Sequence, residues 1–227
     1  MDGQRISNIL RYIYDRLLKE YGPQHWWPAE EPFEVIAGAI LTQSAAWTNV
    51  EKALANLKAA GKLSPEGLRS LPETELAGLI YPSGYYHVKA RKLKAFADWL
   101  GARYNDNLDR LFNNDTETLR KQLLDIYGIG EETADSIILY AANKAVFVID
   151  AYTRRIIDRM GLTPPTHSYA GYQKLFTSNL PSDAQFFNEY HALLVRHGKE
   201  VCRKSPLCEG CYLSPPCPTR TRDVKLS

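Results

Sequence analysis

Four cysteines stand within sixteen residues near the C-terminal end of a 227-residue chain, spaced Cys202-x5-Cys208-x2-Cys211-x5-Cys217. Four thiolates can close a tetrahedral zinc site or hold a 4Fe–4S cluster. Zinc sites usually use two close C-x2-C pairs; here there is one, flanked by wider gaps, which suits a cluster with well-separated corners somewhat better. A disulfide framework is disfavoured, because the start MDGQRISNILRYIYDRLLKEYG is too charged for a secretory segment.

A second constellation is Tyr127-Gly128-Ile129-Gly130-Glu131-Glu132-Thr133-Ala134. Glycines let a backbone approach another molecule closely, and the N–H groups opening the next helix suit a phosphate. Alone, the motif reads better as a plain turn between two helices, with the Glu pair favouring the dipole. Twenty residues past Gly130 comes Asp150, ending the apolar run Val148-Ile149 where a helix begins. An aspartate there is an N-cap, or a carboxylate facing a developing positive charge. Trp26 and Trp27, followed by Pro28, and Trp47 further on are candidates for a flat-walled pocket. One tryptophan is most simply core; several together offer flat walls for a planar ring. A cationic ring over an indole face gains roughly 0.5–2 kcal/mol. The five histidines are scattered and carry no assigned role.

The elements that must position these residues read as helices almost throughout. Ile9, Ile13, Leu17 and Leu18 form one apolar stripe, ended by Gly22-Pro23. Further helices are expected over 33–44, 47–60, 85–104, 116–127, 131–143, 151–160, 168–180 and 183–200, with short ones opening at Ser64-Pro65 and Pro72. The β-like run 145–149 is isolated, so the fold class is all-α. Crossings between two lobes are best placed around 26–32 and 144–150, giving a lobe of 29–145 and another made of 1–28 with 146–227. Hydrophobic residues at 44% and charged residues at 24% fit a folded globular chain. No apolar run reaches the roughly 18 residues a membrane span needs, and a soluble, intracellular protein is expected. The net charge of +2 says little, but its distribution says more. Arg196, Lys199, Arg203, Lys204, Arg220, Arg222 and Lys225 face only Glu200, Glu209 and Asp223 beyond residue 195. Such a tail suits a polyanion, or is a solvated basic tail.

The Gly-Ile-Gly hairpin, the aspartate twenty residues on, and the four-cysteine loop after Gly198-Lys199 together resemble the endonuclease III group of the helix-hairpin-helix DNA glycosylase superfamily, from about Tyr21 to Cys217. The Trp-Trp-Pro segment, the run Ile40-Leu41-Thr42-Gln43 with Trp47 four residues later, and the stretch from His191 to Lys199 are similar to its 3-methyladenine glycosylase branch. The resemblance implies a six-helix barrel lobe with the hairpin, a second lobe carrying a 4Fe–4S cluster, and DNA in a cleft between them. It implies that Cys202, Cys208, Cys211 and Cys217 hold the cluster, although the first cysteine gap is one residue shorter than is usual in the group. It further implies that Asp150 stabilises an oxocarbenium-like sugar, and that Trp26, Trp27, Pro28, Trp47 and Lys199 line the base pocket. Gln43 or Ser44 would fill the hole left by the flipped base. Phosphate contacts are expected from Gly128, Ile129, Gly130, Arg203 and Lys204, with Arg154 as a further candidate.

One departure bears on mechanism. Bifunctional members carry a lysine two residues after the second hairpin glycine, to form a Schiff base with the sugar; here Glu132 stands there. Lys144 and Lys199 do not occupy the matching position. The expectation is a monofunctional DNA glycosylase releasing alkylated purines from double-stranded DNA with water as nucleophile. It would act as a cytoplasmic, nucleoid-associated monomer of a prokaryote, without membrane partners. The alternatives are a glycosylase for mismatched thymine or uracil or for oxidised pyrimidines, a non-catalytic DNA-binding iron–sulfur sensor, and a four-cysteine zinc module that binds DNA.

Overall fold

The computed structural model describes residues 3–223, with side chains for 3–220. Of the basic tail, Lys225 and the side chains of Arg222 and Asp223 lie outside the described residues. Among the described residues there are thirteen α-helices and no strand, and no helix is long and apolar enough to cross a membrane. The chain divides into two compact units, Trp27–Lys144 and Met1–Trp26 with Ala145–Ser227.

The contiguous unit is built around α2 (Pro32–Leu41), whose residues from Phe33 to Leu41 are all buried. That follows from its composition: the small residues Ala37, Gly38 and Ala39 stand between Val35-Ile36 and Ile40-Leu41, so neighbours pack close on every side. Around it lie α3 (Trp47–Ala59), α4 (Pro65–Ser70), α5 (Glu73–Leu79), α6 (Tyr86–Tyr104), α7 (Leu108–Phe112), α8 (Thr116–Leu124) and α9 (Glu131–Ser136). Caps fix several starts. Ser64 Oγ accepts from Gly67 N at 3.0 Å, and Asp115 from Thr118 N at 2.9 Å.

The second unit joins α1 (Gly3–Tyr21) to α10 (Ala151–Arg159), α11 (Tyr169–Thr177), α12 (Ala184–Glu200) and α13 (Pro218–Asp223). Leu10, Ile13 and Leu17 of α1 are fully buried, and Tyr190 Oη of α12 donates to Leu10 O at 2.7 Å. Phe147 stacks on Phe176 at 3.8 Å and meets Phe187 edge-on. Gly198 lets α12 press on α10, since a Cβ there would lie 2.7 Å from Tyr152 Cβ.

Several elements differ from the sequence expectation. Helix α2 stops at Leu41, where Thr42 Oγ1 bonds back to Gly38 O at 2.7 Å and Ser44 takes φ 54°. Helix α8 stops at Leu124, and Ile126 and Ile129 are buried through the following turn. The helix expected over 131–143 is α9 followed by a π-helical turn, Ile137–Ala141. Helices α7 and α13 are additional to those expected.

Candidate functional site

The hairpin between α8 and α9 is fastened from both sides. Gly128 has φ 81°, a conformation that favours glycine, and a Cβ would sit 2.3 Å from Lys92 Cγ. Ile129 is buried as a peg, while Gly130 is exposed, caps α9 and has open space before it. Beneath the turn, Arg120 Nε donates to Asp135 Oδ1 at 2.7 Å, and Asp135 is fully buried. That hydrogen bond holds the guanidinium pKa above its ordinary value.

Gln43 reaches the same hairpin. Its Nε2 donates to Gly128 O and Thr133 Oγ1, both at 3.0 Å, and its Oε1 accepts from Lys92 Nζ at 2.5 Å. The amide is therefore occupied as a tie, whereas Ser44 beside it is exposed on left-handed backbone. Lys89, 2% exposed, donates to Leu41 O at 2.8 Å and Ser83 O at 2.6 Å. Burial, with the charge of Lys92, lowers its pKa to about 8.

Trp27 is the centre of an aromatic group in the contiguous unit. Its ring meets Trp47 edge-on at 5.1 Å and Tyr140 at 5.4 Å. It lies against α2 at Gly38, where a Cβ would fall 2.9 Å from Trp27 Cζ2. All three rings are half-buried, and Pro28 is exposed. Tyr140 rides on the π-helical turn, a feature often found at functional sites.

In the other unit, Asp150 caps α10: Oδ1 accepts from Thr153 N at 2.7 Å. Its other oxygen lies 3.9 Å from His191 Nε2, and the side chain keeps 12% exposure. Burial lowers the His191 pKa and Asp150 opposes that shift. A neutral imidazole thus stands behind a carboxylate that solvent still reaches. Trp26 is half-buried and Lys199 is exposed at the end of α12. Arg203 and Lys204 are exposed, while Arg154 lies over the Tyr172 ring at 5.2 Å.

None of the four cysteines is in a disulfide, and all are half-buried. Burial holds the Cys211 thiol above its ordinary pKa, and Cys202, Cys217 and Cys208 push it the same way, so the four share one neighbourhood. Among the described residues no three His, Cys, Asp or Glu side chains converge as ligands of a single ion. Arg159 Nη1 donates to Cys202 Sγ at 3.2 Å, and His197 Nε2 lies 3.6 Å from Cys211 Sγ.

Sequence reasoning missed Lys92, Tyr140, His191 and His197 as parts of these groups. Their partners stand far off in the chain, and only a chemical rule for second partners of carboxylate or thiolate would have singled out the two histidines.

Residues 37–182 match the model of the HhH-GPD superfamily base excision DNA repair protein. A provisionally named DNA repair glycosylase of Methanocaldococcus jannaschii is 44% identical over 207 residues, covering 90% of this chain and 94% of its own. The crystal structure of Helicobacter pylori 3-methyladenine DNA glycosylase bound to 1,N6-ethenoadenine is 29% identical, with a TM-score of 0.73 over 88% of this chain and 98% of that one. A trapped endonuclease III–DNA covalent intermediate shares the fold with a TM-score of 0.82, at 23% identity and 99% coverage of both chains.

Proposed function

The chain belongs to the HhH-GPD superfamily of base excision DNA repair proteins and is a DNA glycosylase of that family, and from that premise we propose that it releases alkylated purines, of the 3-methyladenine type, from double-stranded DNA by hydrolysis. The observation that carries this reading is Asp150. One of its oxygens is spent on the helix cap, and the carboxylate remains within reach of solvent. It holds negative charge against the sugar as the C1′–N bond breaks, and it accepts the proton of the water that adds to C1′. A purine alkylated at N3 or N7 already carries positive charge, so it leaves neutral with the bonding pair and needs no protonation. The half-buried indoles of Trp27 and Trp47, with Tyr140, are the flat surfaces that favour such a ring. The likeness to a structure holding an etheno-modified adenine supports the same choice.

Water is the nucleophile because no amine stands at the Schiff-base position. Glu132 carries a carboxylate, and the nearby Lys92 is engaged with Gln43. Phosphates are held by the Gly128–Gly130 backbone and by Arg203 and Lys204. The donor set of Cys202, Cys208, Cys211 and Cys217 fits a 4Fe–4S cluster: four thiols outside any disulfide share one neighbourhood, with an Arg159 N–H at Cys202 and a His197 ring nitrogen at Cys211. When bound, the cluster supplies a cross-link for the loop and a one-electron redox centre.

Incubation with duplexes bearing methylated or etheno purines, mismatched thymine or uracil, or oxidised pyrimidines, followed by analysis of the free bases, tests the assignment. Release of the alkylated purines is expected; release confined to pyrimidines overturns it. Borohydride should trap no covalent adduct with abasic DNA, and Glu132→Lys should create one. A strong adduct with the parent protein refutes the water mechanism.

A further inference from the structure

His197 is fully buried on α12 and has a partner at each ring nitrogen. Tyr21 Oη lies 3.0 Å from Nδ1, and Cys211 Sγ lies 3.6 Å from Nε2. A thiolate bound to iron has no proton to give, so Nε2 must carry the hydrogen. A neutral imidazole then presents Nδ1 as an acceptor for the Tyr21 hydroxyl. Tyr21 is itself held: the Arg196 guanidinium lies over its ring at 4.5 Å, and Tyr212 meets it edge-on at 5.4 Å. On another corner of the loop, Arg159 Nη1 donates to Cys202 Sγ at 3.2 Å. Its further bonds to Arg203 O at 2.6 Å and Lys204 O at 2.9 Å fix the guanidinium in place.

We infer that His197 and Arg159 donate hydrogen bonds to two of the four iron-ligating sulfurs and so set the reduction potential of the cluster, with Tyr21 fixing the imidazole tautomer. The inference rests on the iron–sulfur reading given above. Hydrogen bonds to ligating sulfur withdraw charge from the thiolates, which favours the reduced cluster and raises the potential. His197, Arg159 and Tyr21 are positioning residues: they act through the cysteines and touch no DNA in this scheme.

The test is voltammetry of the full-length protein, purified without oxygen, alongside iron analysis and the visible spectrum. Tyr21→Phe keeps the ring and removes the hydroxyl; Arg159→Met removes one donor; His197→Phe removes the other, and His197→Gln restores an N–H. The one-electron potential should fall in Arg159→Met and His197→Phe, fall less in Tyr21→Phe, and return toward the parent in His197→Gln. Variants that hold parental iron and show the parental potential overturn the inference. If His197→Phe takes up no iron, Arg159→Met and Tyr21→Phe decide the matter. A parent protein that binds no iron overturns the cofactor reading itself, an outcome separable from unchanged potentials in loaded variants.

Discussion

Asp150 serves two ends with one carboxylate, and substitutions separate them. Asp150→Asn keeps an oxygen for the Thr153 N–H, so unfolding should shift by less than about 1 kcal/mol. Base release should fall by roughly 10²–10⁴-fold with DNA affinity retained. Single-turnover kinetics and a binding titration check both; unchanged release reduces Asp150 to a cap. Lys89 makes a different prediction. Its folded pKa of about 8 lies below the 10.5 of the free side chain. Between those values the unfolded chain binds the proton that the folded chain refuses. Lys89 therefore lowers stability fully below pH 8, and that cost is relieved as pH rises from 8 toward 10.5. Lys89→Met should flatten this rise in chemical denaturation. At pH 7 it should still destabilise by about 1–3 kcal/mol, because the carbonyls of Leu41 and Ser83 lose their donor.

At the level of elements, the hairpin depends on a glycine and a buried ion pair. Gly128→Ala forces a Cβ at positive φ into Lys92 and should cost about 1–2 kcal/mol while weakening DNA binding. Arg120→Met strips the guanidinium from the fully buried Asp135 and should cost about 3–5 kcal/mol in thermal or denaturant unfolding. The helices were legible where apolar stripes repeat at helical spacing and where Ser64, Asp115, Ser168 and Asp183 are residues that cap. Five-residue α7 is too short to show a period. The π-helical turn was not legible either: it inserts a residue into a register that sequence periodicity assumes unbroken. In the candidate site, Gln43 could be singled out by its residue type and place in the chain, but not as a tie to Gly128, eighty-five residues away. The pairing of His191 with Asp150 and of His197 with Cys211 likewise exists only in three dimensions.

For the whole molecule, charge is the quantity that reaches DNA. A net charge of +2 hides a basic C-terminal segment whose Arg203 and Lys204 are exposed. Affinity for duplex DNA should fall steeply and linearly on a logarithmic salt scale. Replacing Arg203 and Lys204 by glutamine should reduce that slope by about 2, roughly one unit for each phosphate left without its cation. A slope equal to the parent's removes both from the interface. The two units also differ in how the chain builds them, one from a single stretch and the other from both ends. Helix α1 is made before the other described helices, yet α12, which packs on it and bonds Leu10 O through Tyr190, follows more than 160 residues later. The nascent chain must carry this apolar stripe without α12 until residue 184 has been made, while the stretch between can already settle. Chaperone capture of stalled chains, and aggregation of fragments cut before residue 184, follow from that order of birth.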